Sequence, residues 1–199
     1  MAHKQHRGAV TVDHLLTSAL AVYAERGQEG FTVGAVTQAS GVSLGSLYHH
    51  FGSFDGLAAA LYCRCMAQVC DEMIEALYRT RTPRTGIQAL VRTYLRFIRD
   101  HRDAALFLHA SSYSGHLAAH AEEIRALKNE KFGRIAAWMQ PRIAAGQIAP
   151  LPEPLLEILV LGPVIEAARR SLTHTFAELD LDEVVRELPD RIWRSVRPD

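Results

Sequence analysis

Between Ser43 and His50 the chain gathers side chains suited to touching a polymer rather than transforming a substrate. Ser46, His49 and His50 can donate hydrogen bonds to base edges or phosphates, and Tyr48 carries a hydroxyl on a rigid arm. Gly45 has no side chain and lets a backbone come close. Leu44 donates nothing, but it can touch a thymine methyl group. Thr32 and Ser43 each stand where a short helix begins, and the N–H groups and dipole at such a point favour an anion. Contact with duplex nucleic acid is the chemistry this set can do.

Other reactive residues fit no reaction. His116 and His120 are four apart and would share a helix face, with Glu123 nearby, but no further Cys or carboxylate completes a ligand set, so no metal is expected. Cys63, Met66, Cys70, Met73 and Leu77 form one helical stripe, as thiols do when packed as small hydrophobes. No phosphate-cradling glycine loop and no His-Glu-x-x-His string occurs. The expectation is a protein with no catalytic residue and no cofactor.

The elements that position the contact residues are helical. Val12, Leu15, Leu16, Ala19, Leu20 and Tyr23 make one apolar stripe, which Thr11 would cap and Gly27 would end. Thr32 caps a helix from Val33 to about Ser40, stopped by Gly41. Ser43 caps the next, Leu44 to about Phe51, stopped by Gly52, and Ser53 caps a third that runs to about Arg79. Two short helices joined by a glycine turn describe a helix-turn-helix. Leu47 and Phe51 would face its core with Val36 and Val42, turning Gly45, Ser46 and His49 outward. No strand with period-two alternation is read, so the fold class is all-α: an N-terminal three-helix helix-turn-helix domain followed by a larger helical domain.

The string from Gly30 to Phe54 resembles the DNA-binding region of the TetR (tetracycline-repressor) family. The resemblance rests on Phe31 and Thr32, on Ala39 to Ser43 through the turn, on Gly45 to Phe51, and on Leu57. It implies a helix-turn-helix DNA-binding domain over 1–54 and a ligand-binding and dimerisation domain over 55–199. Thr32, Ser43, Leu44 and Gly45 are the expected DNA-binding residues, with Ser46, Tyr48, His49 and His50. The implied function is a transcription regulator, a repressor released from its operator by a small-molecule effector. The alternative is a helical small-molecule binder with a degenerate reading head. Two departures bear on that choice: the family commonly has a basic or polar residue at Leu44 and a Lys at Phe54.

Past the reading head, Pro83 to Gly86 are expected to precede a helix that ends near His101, and further helices are expected over 104–110, over 117–145 with Pro141 bending it or ending it early, and over 155–175 and 182–196. The last two are the expected homodimer surface, because Leu155 to Ile165 is apolar nearly all round and Leu181, Val184, Val185 and Leu188 add a stripe. The candidate ligand-binding residues are Met66, Cys70, Phe97 and Phe107, with His109, Tyr113, His116 and Trp138, an apolar set with a few polar groups.

Composition is neutral on partners. Lys plus Arg is 22 and Asp plus Glu is 22. Residues 1–54 are also balanced, with Lys4, Arg7 and Arg26 against Asp13, Glu25 and Glu29. A reader of this kind would depend less steeply on salt than a basic one, and tighter binding is expected as its histidines protonate. An odd number of cysteines in one stretch suggests a reducing compartment. The N-terminus has no apolar run of the secretory kind, and the apolar stretch 155–165 is too short for a bilayer. A cytoplasmic location with no membrane partner follows as an expectation. The expected partners are a double-stranded, palindromic DNA operator, a small-molecule effector and a second copy of the chain.

Overall fold

The computed structural model describes residues 2–111, 115–173 and 180–198. The described residues are helical, with no strand among them: α1 (Ala2–Gly30), α2 (Val33–Ser40), α3 (Leu44–Phe51), α4 (Phe54–Tyr78), α5 (Pro83–Asp100), α6 (Arg102–Ser111), a 3-10 helix (Gly115–His120), α7 (Ala121–Ala144), α8 (Glu153–Thr173) and α9 (Leu181–Val196).

They form two compact units, the first from residues 1–66 and 103–125, the second from 67–102 and 126–199. In the first, α1 lays Leu15, Leu16, Ala19, Val22 and Tyr23 into the core, and α4 adds Leu57, Ala58 and Leu61. Phe107 of α6 closes the unit. Its ring meets Tyr23 edge-on at 4.9 Å and Phe31 at 5.8 Å, while Tyr23 and Phe31 meet at 5.4 Å. Such pairs add about 0.5–1.5 kcal/mol each beyond area burial. On the surface Arg64 of α4 reaches Asp13 and Thr17 of α1, at 3.4 and 3.1 Å.

In the second unit α5, α8 and α9 pack on one another. Asp190 of α9 accepts from Gln88 (2.6 Å) and Arg84 (2.9 Å) of α5. Buried Lys131 of α7 donates to Asp71 of α4 at 2.8 Å. Trp138 of α7 is buried, with Arg142 stacked 3.7 Å from its ring centre.

Four helix boundaries differ from the sequence reading. Thr11 is no cap: α1 already runs from Ala2. The stretch before Thr11 has no apolar stripe to mark it, but Ala, Lys, Gln and Arg are good helix formers. Gly27 does interrupt α1, with φ 65°, and the helix resumes to Gly30. Pro83 to Gly86 do not precede α5 but begin it. Thr82 and Thr85 form a capping box with Pro83 at the first helical position, where a missing N–H costs nothing. Finally, the helix expected over 117–145 is a 3-10 turn followed by α7, and Pro141 does not stop α7 until Ala144. Of the helix expected over 155–175, residues 174–175 lie outside the described residues.

Candidate nucleic-acid interface

Local capping sets the geometry of α2 and α3. Thr32 has extended backbone and its Oγ1 accepts from the N–H of Ala35 at 3.2 Å; Ser43 does the same for Ser46 at 3.2 Å. An accepting hydroxyl keeps its own proton to donate, so both caps can still serve a phosphate. Gly41 ends α2 at φ 65° and Gly52 ends α3 at φ 74°, in the region other residues avoid. Ser40, buried at the end of α2, accepts from the N–H of Val42, and its carbonyl lies 2.9 Å from His14 Nε2 of α1.

Leu47 is fully buried and Val36 likewise, while Phe51 and Val42 are half-buried. This turns the other face of α3 to solvent. Leu44 is 48% exposed and Tyr48 42%, with Gly45 and His49 also exposed and Ser46 and His50 half-buried. A Cβ on Gly45 would meet nothing within 4 Å, so the surface beside Leu44 is open. The rings of His49 and His50 lie 5.2 Å apart. A two-turn helix with this face is of a size to sit in a major groove about 12 Å wide.

Gly41-Val42-Ser43-Leu44-Gly45 also spells Gly-x-Ser-x-Gly, the string of a hydrolase nucleophile elbow. That elbow needs a strand before the serine. Here α2 precedes it, and the serine oxygen caps α3. Phe54, where a cation is common in the resembling family, packs on Phe31 with ring centres 5.0 Å apart. Arg26 lies 3.7 Å from Glu25.

Residues 15–61 match the family model described as bacterial regulatory proteins, tetR family. The match spans 47 of the 199 residues, so the likeness to this family is a likeness of the N-terminal stretch. The matched stretch covers α2 and α3 and reaches into α1 and α4. Solved TetR-type structures share the whole fold. A TetR family transcription regulator from Marinobacter aquaeolei VT8 superposes with a TM-score of 0.80 at 21% identity, over 98% of this chain and 100% of that one. The fatty acid degradation regulator FadR from Bacillus halodurans gives 0.76 at 16% identity, over 93% and 99%. FadR from Bacillus subtilis, solved in complex with stearoyl-CoA, gives 0.74 at 17%, over 90% and 96%. No curated protein sequence matches the chain.

The ligand candidates read from sequence are distributed over both units. In the first, Met66 and His109 are half-buried, burial holds the His109 pKa below its usual value, and Phe107 belongs to the aromatic cluster. In the second, Cys70 and Trp138 are buried, and buried Phe97 has its ring 4.9 Å from that of His101. Tyr113 lies outside the described residues, as does the side chain of His116. His120 Nδ1 is 3.6 Å from Glu123. Among the described residues no three His, Cys, Asp or Glu come together as metal ligands, and no helix is long and apolar enough to cross a membrane.

A cavity of about 140 Å³ opens instead inside the second unit, between α4, α5, α7 and α8, and none of the six candidates whose side chains are described lines it. Its walls include Met73, Leu90, Ile135, Met139, Leu156 and Val160. The spacing Phe132, Ile135, Met139, Ile143 on α7 was its visible signal, but a core stripe has the same spacing. A pocket of about 10 Å³ in the first unit does include Phe107, with Tyr23 and Phe31.

Proposed function

We propose that this chain is a dimeric DNA-binding regulator, a repressor that a small molecule releases from a palindromic operator. The observation that carries the reading is the open face of α3, where Leu44, Gly45, Tyr48 and His49 are exposed behind a Ser43 cap. Ser46, Tyr48, His49 and His50 would make most base and phosphate contacts, with Thr32 and Ser43 holding phosphates. Residues 1–54 are the reading domain in this scheme and 55–199 the ligand-binding and dimerisation domain.

Self-association is supported by α8, which leaves Leu155 (41%), Ile158 (63%) and Ile165 (45%) exposed along one side. With half-buried Leu181, Val184, Val185 and Leu188 of α9, two chains would form a four-helix contact about a two-fold axis. The two α3 helices would then enter successive major grooves about 34 Å apart. The effector would occupy the cavity of the second unit; a structure of this fold from Bacillus subtilis was solved with a small molecule, stearoyl-CoA, bound. Helix α4 belongs to both units, so a ligand held at its C-terminal half acts on a helix continuous with the reading domain. To release DNA it must bind the DNA-incompetent state more tightly. Such a role belongs in the cytoplasm.

Leu44 and Phe54 favour a second reading, a small-molecule binder whose head has lost DNA affinity. One experiment separates them. The purified protein selects from a random DNA pool, and the enriched site is titrated by anisotropy at several salt concentrations. A palindromic winner bound far above random DNA is expected. No enrichment at low salt, from protein unfolded and refolded to strip bound ligand, would favour the second reading.

A further inference from the structure

The cavity in the second unit has a sided chemistry. Its buried floor, from Met73 and Leu90 to Leu156 and Val160, is apolar. Its exposed rim holds Gln140, Glu153 and Glu157, and no Lys, Arg or His lines it. Glu153 and Glu157 are four apart on α8, so their carboxylates share one face, where like charges repel each other. Neither makes a hydrogen bond or ion pair among the described residues. On the same helix Glu166 is held by both Arg169 and Arg170. The rim therefore carries two carboxylates with no cationic side-chain partner among the described residues, over an apolar hollow of about 140 Å³, a size known to admit a single aromatic ring.

We infer that this cavity binds a small amphipathic cation, with its apolar body against the α7–α8 floor and its ammonium group between Glu153 and Glu157, as the effector site. The effector role rests on the regulator reading above; the binding chemistry does not. A cation relieves the repulsion along α8, whereas an anion of the same body meets it.

The test uses the full-length protein and three probes of equal chain length, octyltrimethylammonium, octanol and octanoate, titrated calorimetrically below their self-association limits. The expected result is saturable binding of one cation per chain, at least tenfold tighter than octanoate. E153Q and E157Q, both at exposed positions, should each weaken the cation several-fold and leave octanol unchanged. A136F, which fills the cavity, should abolish all three while a thermal melt reports whether it still folds. Octanoate binding as tightly as the cation, a cation affinity unmoved in the E153Q/E157Q double variant, or no binding of any probe would overturn the site. The DNA site selected above is then titrated with the cation present. Release makes the site an effector site, and retained DNA under saturating cation overturns that role. Cation binding by a protein that selects no DNA leaves the site standing and fails the regulator reading instead.

Discussion

Gly86, in the first turn of α5, lies so close to the ring of Trp138 that a Cβ built on it would stand 2.1 Å from the ring carbon Cη2. The ring is buried and has Arg142 stacked over it, whose Nη1 donates to the Trp138 carbonyl at 2.7 Å. Gly86→Ala should therefore destabilise the protein by about 1–3 kcal/mol, as overpacking does. With Trp138→Leu already in place, the same change should become neutral or gain up to about 1 kcal/mol, because alanine is the better helix former. A double-mutant cycle by urea denaturation measures this. Equal costs in both backgrounds would refute the contact.

The two buried thiols give a prediction in pH. Burial pushes Cys65 and Cys70 up from 9.0 to about 11. A pKa raised in the folded state stabilises it below the unfolded value, and that contribution is lost as pH rises from about 9 to about 11. Stability should fall over that window, and C65A/C70A should flatten the fall. Below it, a thiol reagent at pH 8 should modify half-buried Cys63 well before the other two, which react once the protein is unfolded.

On α3, Tyr48→Phe should cost DNA affinity about 1.5–3 kcal/mol, the worth of a hydrogen bond to a charged phosphate. His49→Ala should also weaken binding. Both side chains are exposed, so circular dichroism should show an unchanged fold. Binding by both variants as tight as the parent's would remove α3 from the interface.

Leu44 permits a finer reading. If Leu44 meets a thymine of the selected site, replacing that thymine by deoxyuridine deletes one methyl group, which at about 0.8 kcal/mol lowers affinity roughly fourfold. L44A should bind both duplexes equally. If no thymine in the selected site shows this dependence, Leu44 makes no methyl contact.

The exposed side of α8 should hold the dimer together. Ile158→Glu places a charge at a side chain 63% exposed in the single chain, so the monomer should keep its fold. Sedimentation should then show a shift from dimer to monomer, and affinity for a palindromic site should drop with it. A dimer that survives Ile158→Glu and Ile165→Glu together lies elsewhere.

What was legible in the sequence was local. Thr32, Gly41, Ser43 and Gly52 announce the ends of α2 and α3 because a cap or a positive φ depends on one residue and its near neighbours. Gly86 misled the reading: a glycine at a close approach to Trp138 looks the same as a glycine in a turn. The grouping of α6 with the reading head was also hidden, since Phe31 and Phe107 meet only in space. The cavity was hidden for a third reason. Aromatic and histidine residues are conspicuous in a sequence, but Phe97, Phe107 and Trp138 are buried core, and the hollow lies among ordinary Ile, Leu and Met.

The interleaving of the two units sets a timetable for synthesis. A ribosome that has released residue 66 has made α1, α2 and α3, yet Phe107, which closes their aromatic cluster, has still to come. The nascent reading head must wait for α6 with Tyr23 and Phe31 uncovered, while the stretch 67–102, which belongs to the other unit, emerges first. Domains that are continuous in sequence fold one after the other as they are made. In this chain the aromatic cluster that joins Tyr23 and Phe31 is completed only when Phe107 of α6 has been made, after the first part of the other unit.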